Sequence, residues 1–589
     1  MPIYQAPLRD MQFLLERVVD YEGVLGALEG LEDTSLDLAM AVLDNAATFA
    51  RDVVLPLNLA GDAAGCRFED GRVATPPGYR EAYRQYREAG WTALAADPAY
   101  GGQGLPAALG LLVRELVAAG SMAFGMYAGL SQGAYRAILA HGDAALRQTY
   151  LPHLVDGSWS GTMCLTEPQA GSDLALLRTR AEPQDDGSYL VTGTKIFISG
   201  GEHDLTDNIV HLVLARLPGA PAGTRGISLF VVPKTLPGSG APNGVACGSI
   251  EHKMGIRGSA TALLNFDGAR GWLLGRAHGG MQAMFTMMNS SRIGVAVQSL
   301  GAAEISYQNA LLYANERLQG RAPGAQENPG PIIGHPEVRR MLATMKALVE
   351  GGRALYADAA LLLDVRARHP DAGHRSRAEE ELALLTPVLK SFISDTALQV
   401  TELGVTVFGG HGYVHEHGME QLYRDARIVP LYEGTNAIQA LDLVHRKIGQ
   451  DEGRVLARYL DRLEDQAARC ADDAVLAPHA AGFDAALAAL REASARLCAW
   501  QAEGQHLRLA GAASDYLRLF GLVATGAAWL RMARAARSEL AAGRGDAAFL
   551  NGKIKTAAFY CASLLPEAGL LGRRVEAGLP QMALAPEEF

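Results

Sequence analysis

Three long stretches with helical periodicity and few breakers, residues 281–317, 336–368 and 377–404, constrain this chain more than any other feature. Helices of that length bury an apolar face most readily against one another, so they predict an antiparallel bundle. Residues 322–334, rich in Pro and Gly, read as the loop joining the first pair. Ahead of the bundle the period changes. Short runs rich in β-branched and aromatic residues fall at 189–192, 195–198, 208–215, 226–232 and 262–266, with turn formers such as Asp185-Asp186-Gly187 between them. They predict a small antiparallel β domain, either a barrel or a sandwich, with Thr166 and Ser199 at strand ends. Residues 10–153 read as helical, broken by a loop at 97–106 where Gly and Pro crowd. Everything beyond Gly449 is Ala-, Leu- and Arg-rich and reads as further helix. The expected fold is therefore mainly α with a central β domain, in four segments: 1–157 helical, 158–277 β, 278–450 bundle and 451–589 a C-terminal helical extension.

Composition narrows the function. A chain of 589 residues exceeds what one core usually holds. Its 53 basic against 64 acidic residues give a net charge of −11, which argues against broad nucleic-acid binding. The six cysteines are scattered, with no C-x-x-C pair and no histidine at zinc-ligand spacing, so no metal is expected and reduced thiols in a cytoplasmic protein are. The N-terminus lacks a signal pattern, and no apolar run approaches the ~18 residues of a spanning helix. Neither a G-x-G-x-x-G after a strand nor a G-x-x-x-x-G-K-[ST] is present.

One short stretch looks chemical: Leu431-Tyr432-Glu433-Gly434-Thr435-Asn436. A lone carboxylate follows an apolar segment and precedes a glycine that lets backbone approach a ligand, then small hydrogen-bonding residues. Burial of a carboxylate raises its pKa and strengthens the anion as a base. The same residues also suit a loop glutamate ahead of a helix starting near Thr435 or Asn436.

Four further stretches accompany it in order. They are Met163-Cys164-Leu165-Thr166-Glu167-Pro168-Gln169-Ala170-Gly171-Ser172-Asp173, Lys195-Ile196-Phe197-Ile198-Ser199-Gly200-Gly201, Lys253-Met254-Gly255-Ile256-Arg257-Gly258-Ser259 and Phe408-Gly409-Gly410-His411-Gly412-Tyr413. Together the five closely resemble the acyl-CoA dehydrogenase family of flavoproteins, over roughly residues 80–450. The long N-terminus and the extension resemble its larger bacterial branch, which includes methylthiopropanoyl-CoA dehydrogenases and fatty-acyl enzymes.

The resemblance implies FAD as cofactor and oxidation of an acyl-CoA thioester to the trans-2-enoyl-CoA. Glu433 matches the base that takes the α-proton while flavin N5 takes the β-hydride; the alternative family position, ahead of Arg292, is Ser291, which is no carboxylate. It further implies flavin contacts from Met163, Leu165, Thr166, Ser172, Phe197, Ser199 and Thr435. Arg317, Phe408, Gly409 and Gly410 match residues that reach the FAD of a neighbouring subunit, so a homodimer is the smallest expected assembly. Ser172, Asn289, Arg292 and Gly434 match substrate contacts. Electrons are expected to pass to an electron-transferring flavoprotein, with an oxygen-using acyl-CoA oxidase or a non-catalytic acyl-CoA-binding scaffold as the rival readings.

Each assignment has a plainer counterpart. Thr166 reads equally as a strand-end hydroxyl, Arg317 as a cation at a helix C-terminus and Arg292 as an interhelical hydrogen-bond partner. Arg257 reads as structural, and His252, His411, His415 and His417 as turn residues rather than bases. Phe197 replaces a frequent tryptophan; Ala437 and Thr406 stand where glutamines are common, removing hydrogen bonds to the cofactor.

Overall fold

The computed structural model describes residues 2–578 and 584–588. Two compact units emerge: Asn45–Gly294, and Met1–Asp44 together with Val295–Phe589.

The Asn45–Gly294 unit is built on a β domain. Its strands are β1 (Arg67–Glu69), β2 (Arg72–Ala74), β3 (Trp159–Cys164), β4 (Arg180–Pro183), β5 (Tyr189–Ser199), β6 (Asn208–Arg216), β7 (Ile227–Pro233), β8 (Val245–Ile250) and β9 (Thr261–Leu273). Strands β6, β4, β5, β9 and β7 close on one another through the β6–β7 pairing, with β3 added on β6 and β8 on β9. The barrel alternative is thus the one realised. It is not wholly antiparallel: β3 and β4 both run parallel to β6. Parallel neighbours need long connections rather than hairpins, and alternation within a run carries no record of them.

Strands β6 and β7 explain why their sequences look uniformly apolar. Val210, Leu212, Leu214, Ile227, Leu229 and Val231 pack with the Met122–His141 and Ala144–Val155 helices, whereas Val213, Ala215, Phe230 and Val232 fill the barrel. Successive side chains leave opposite faces of a strand, and here both faces are buried. Two expectations need correction. The runs at 189–192 and 195–198 form one strand, β5, whose register shifts twice against β9. Residues 10–153 are not all helix, because β1 and β2 make a hairpin across Asp70 and Gly71, both at positive φ. Asp-Gly between short runs is itself a hairpin signal.

The second unit contains the bundle. After Val295 come the remainder of the Gly280–Glu316 helix, then Pro336–Arg368 and Ala372–Phe408. Their buried contacts run through Ala303, Ala310, Met345, Leu348, Ala397 and Val400. The extension contributes Ala477–Ala502, His506–Ala541 and Ala547–Phe559. It packs tightly. Fully buried Trp529 donates to the Ala347 carbonyl at 2.9 Å, and a Cβ on Gly521 would lie 2.3 Å from the Phe392 ring. Buried charges tie the N-terminal helix into the same unit: Asp10 pairs with Arg353 and Lys553, Arg353 also with Glu304, and Lys553 with Glu350 at 2.8 Å. Burial alone would raise the Asp10 pKa, and the Lys553 and Arg353 charges reverse that, holding it at about 2. Among the described residues no helix is long and apolar enough to cross a membrane.

Candidate active site

In the barrel unit, β3 delivers Met163 to its end and Leu165 and Thr166 just beyond it, all three half-buried. What fixes this segment is an ion pair the sequence did not advertise. Lys195 and Glu167 are 0% and 3% exposed and meet at 2.8 Å. Glu167 also accepts from the Arg178 and Thr179 backbone N–H groups, the Thr179 hydroxyl and the Gln169 amide. Lys195 donates a second bond to the Leu165 carbonyl at 3.0 Å, and the Ile196 N–H donates to the Thr166 carbonyl at 2.9 Å. Burial opposes charge on both partners. For Glu167 the Lys195 charge and the hydrogen bonds win and hold the pKa at about 2, while for Lys195 burial outweighs Glu167 and lowers it to about 8.

Two residues beyond Lys195 the chain bulges. Phe197 takes φ 59°, unusual for a bulky residue, and the residue is 59% exposed. Ser199 ends the same strand, as expected. Gly171 and Ser172 lie in the exposed loop that follows Thr166, and a Cβ on Gly171 would meet nothing within 4 Å. Farther along, Asn289 and Arg292 lie one turn apart on the Gly280–Glu316 helix, and the 5%-exposed Arg292 donates to the Asn289 side-chain oxygen Oδ1 at 3.3 Å.

In the bundle unit, Glu433 sits half-buried in a tight loop between the Met419–Ala426 and Asn436–Asp442 helices. Glu433 and Gly434 take φ 56° and 81°, both left-handed. Glycine adopts that readily and glutamate does not, so the surroundings must impose it. Lys390 donates to the Gly434 carbonyl at 2.9 Å, Gln439 to the Glu433 carbonyl at 3.1 Å, and the Tyr432 hydroxyl to Gln298 at 2.8 Å. Thr435 is the N-cap of the helix that follows, its hydroxyl accepting from the Ile438 N–H at 3.3 Å. The helix thus starts at Asn436, as the plainer reading of this stretch expects.

Arg317 lies just past the end of the Gly280–Glu316 helix and is exposed. Phe408 ends the Ala372–Phe408 helix and stacks on Tyr313 with ring centroids 4.1 Å apart. Gly409 and Gly410 follow with open space where a Cβ would stand. His411, His415 and His417 lie in short 3₁₀ turns, His411 bonding the Tyr313 hydroxyl at 2.8 Å. Each unit thus gathers its own share of the sequence-derived residues.

Models of the N-terminal, middle and C-terminal domains of acyl-CoA dehydrogenase match residues 39–158, 162–269 and 278–448, and one described as acetyl-CoA dehydrogenase C-terminal like matches 459–585. The chain is 44% identical to 3-methylmercaptopropionyl-CoA dehydrogenase of Ruegeria pomeroyi, over 96% of each chain. It belongs to the acyl-CoA dehydrogenase family. A broad-specificity linear acyl-CoA dehydrogenase of Mycobacterium tuberculosis is 34% identical, again over 96% of both chains. In fold it resembles an acyl-CoA dehydrogenase of Bacillus anthracis solved with FAD, with a TM-score of 0.76 and 21% identity over 96% of this chain and 91% of that one.

As an acyl-CoA dehydrogenase the enzyme has supporting residues that its motifs alone did not reveal. Lys195 and Phe197, two apart, would share a face in a regular strand, and the bulge between Lys195 and Ile198 turns Phe197 outward while Lys195 stays buried. Lys390 interrupts the apolar run Val388-Leu389-Lys390-Ser391-Phe392-Ile393, so it is a lone cation on a buried helix face. Lysine is almost never fully buried without partners, which makes both positions readable in retrospect.

Proposed function

We propose that this enzyme oxidises an acyl-CoA thioester to the trans-2-enoyl-CoA, with Glu433 removing the α-proton, and passes the electrons to an electron-transferring flavoprotein. The observation that carries the reading is the left-handed, doubly held Glu433-Gly434 pair: strain of this kind is kept where a side chain must be presented in one direction.

The residues present suit FAD. Phe197 offers an exposed aromatic wall beside Thr166, whose backbone is pinned by the Lys195–Glu167 pair. Gly171, Gly409 and Gly410 leave room for close approach of phosphates and ribose, and Arg317 supplies a guanidinium of the kind that binds a pyrophosphate. Bound FAD supplies the acceptor for the β-hydride. Thr166 and the neighbouring backbone orient it, Ser172, Asn289, Arg292 and Gly434 orient the thioester, and Glu433 holds the abstracted proton. Arg317 and the Phe408-Gly409-Gly410 platform serve the FAD of a second subunit, making a dimer the functional assembly. The four segments named above are the domains of each subunit, and the reaction takes place in the cytoplasm.

The test is anaerobic flavin reduction by acyl-CoAs of graded length, including 3-methylthiopropanoyl-CoA. Bleaching of the flavin absorbance with formation of the enoyl-CoA supports the proposal, and yellow protein that no acyl-CoA bleaches contradicts it. Admitting air afterwards separates the acceptors by rate: any reoxidation by oxygen yields peroxide, slow reoxidation and slow peroxide formation are expected, and rapid peroxide formation marks an oxidase.

A further inference from the structure

We propose that Lys390 is a positioning residue for proton abstraction, gripping the loop that presents Glu433 together with Gln439. The inference rests on the reading of Glu433 as the base and extends it to the groups that aim the carboxylate.

Lys390 is 0% exposed and lies in the Ala372–Phe408 helix among buried Val388, Leu389, Phe392 and Ile393. Taking an ammonium out of water is expensive, and a leucine or methionine there would pack without that cost. Its bonds show what the charge is for. Nζ donates to the Gly434 carbonyl at 2.9 Å and to the Asn436 side-chain oxygen at 2.7 Å. Asn436 is oriented in turn, its amide nitrogen donating to Asp395 at 2.7 Å and to the Ser394 hydroxyl at 3.0 Å. From the other side Gln439, also 0% exposed, donates to the Glu433 carbonyl at 3.1 Å.

Two successive carbonyls, 433 and 434, are therefore each held by a buried side chain from a different helix. Those carbonyls follow the two left-handed residues, so the grips fix the rotation that swings the Glu433 side chain. With either grip removed, the peptide can turn to a commoner conformation and carry the carboxylate with it. Packing does not require an ammonium, whereas holding the Gly434 carbonyl does require a donor.

The experiment uses the full-length flavin-loaded enzyme and 3,3-dimethylbutanoyl-CoA, which has α-hydrogens but no β-hydrogen. In deuterated water the base can only exchange the α-hydrogens: it removes a proton to give the thioester enolate and returns a deuteron, with no redox change. Lys390→Met and Gln439→Leu are expected to slow this exchange at least tenfold and to lower kcat with an oxidisable acyl-CoA in proportion. KM, flavin content and melting temperature are expected to stay near the parental values. Exchange at the parental rate in both variants overturns the proposal. So does slowed exchange that always accompanies lost flavin and a lowered melting temperature, which marks a purely structural lysine. Glu433→Gln run alongside separates the two claims: parental exchange in that variant removes the base assignment itself, whereas abolished exchange there with parental rates in Lys390→Met removes only the role of Lys390.

Discussion

At Glu167 and Lys195 a single pair decides how firmly the Leu165-Thr166 segment is held. Breaking a buried ion pair by removing one partner costs about 3–5 kcal/mol, because the other charge is left stranded, while replacing both with apolar residues is often near neutral. Glu167→Gln and Lys195→Met are thus each expected to lower stability by about that much, and the double variant Glu167→Leu/Lys195→Met by less than the sum, read by denaturant melts of the holoenzyme. The pH dependence has a definite sign. The folded pKa of Glu167, about 2, lies below the unfolded carboxylate value, so its contribution is present above pH ~4.5 and is lost as pH falls towards 2. Loss of stability between those limits is expected to be shallower in Glu167→Gln than in the parent. Neither residue stood out in the sequence as a partner of the other, since twenty-seven positions separate them and nothing local records a pairing across strands; the motifs that contain them were legible, and the reason those motifs contain a Glu and a Lys was not.

Among the elements, long helices were the easiest to read. Pro336–Arg368 matches the breaker-free stretch at 336–368, because a proline opens it at a helix start and the pattern ends before the next. Short strands were harder. Arg180–Pro183 is mostly exposed and Val245–Ile250 largely half-buried or exposed, and both lack the apolar alternation by which a strand is recognised. Trp159–Cys164 is buried nearly throughout but is rich in small and polar residues, so the same signal is missing. For the candidate site, position along the chain was legible in the order of the five motifs, whereas the left-handed turn at Glu433 was only hinted at by Gly434. Helix packing gives its own prediction. A Cβ at position 521 would stand 2.3 Å from the Phe392 ring, so Gly521→Ala forces the His506–Ala541 helix away from Ala372–Phe408. Overpacking of this kind costs about 1–3 kcal/mol, and thermal melting is expected to show it, with Gly482→Ala, where nothing lies within 4 Å, as the neutral comparison.

For the molecule as a whole, the C-terminal extension is part of the bundle unit rather than an appendage to it. Lys553 reaches Asp10 and Glu350, Arg531 reaches Asp358, and Trp529 seals against Ala347. A chain truncated after Gly449 is expected to aggregate on expression, because Asp10 and Glu350 lose Lys553, one of their cations, and the apolar surface that Trp529 covers near Ala347 is exposed. Recovery of a soluble, flavin-loaded truncation would show that the extension is dispensable. All of this architecture serves one chemical assignment, and the most direct measurement of it is single-turnover flavin bleaching by acyl-CoA in Glu433→Gln under anaerobic conditions. The account predicts a parental flavin spectrum and a bleaching rate about 10²–10⁴ times slower, the usual worth of a general base. Bleaching at the parental rate by a Glu433→Gln enzyme with full flavin content would contradict it.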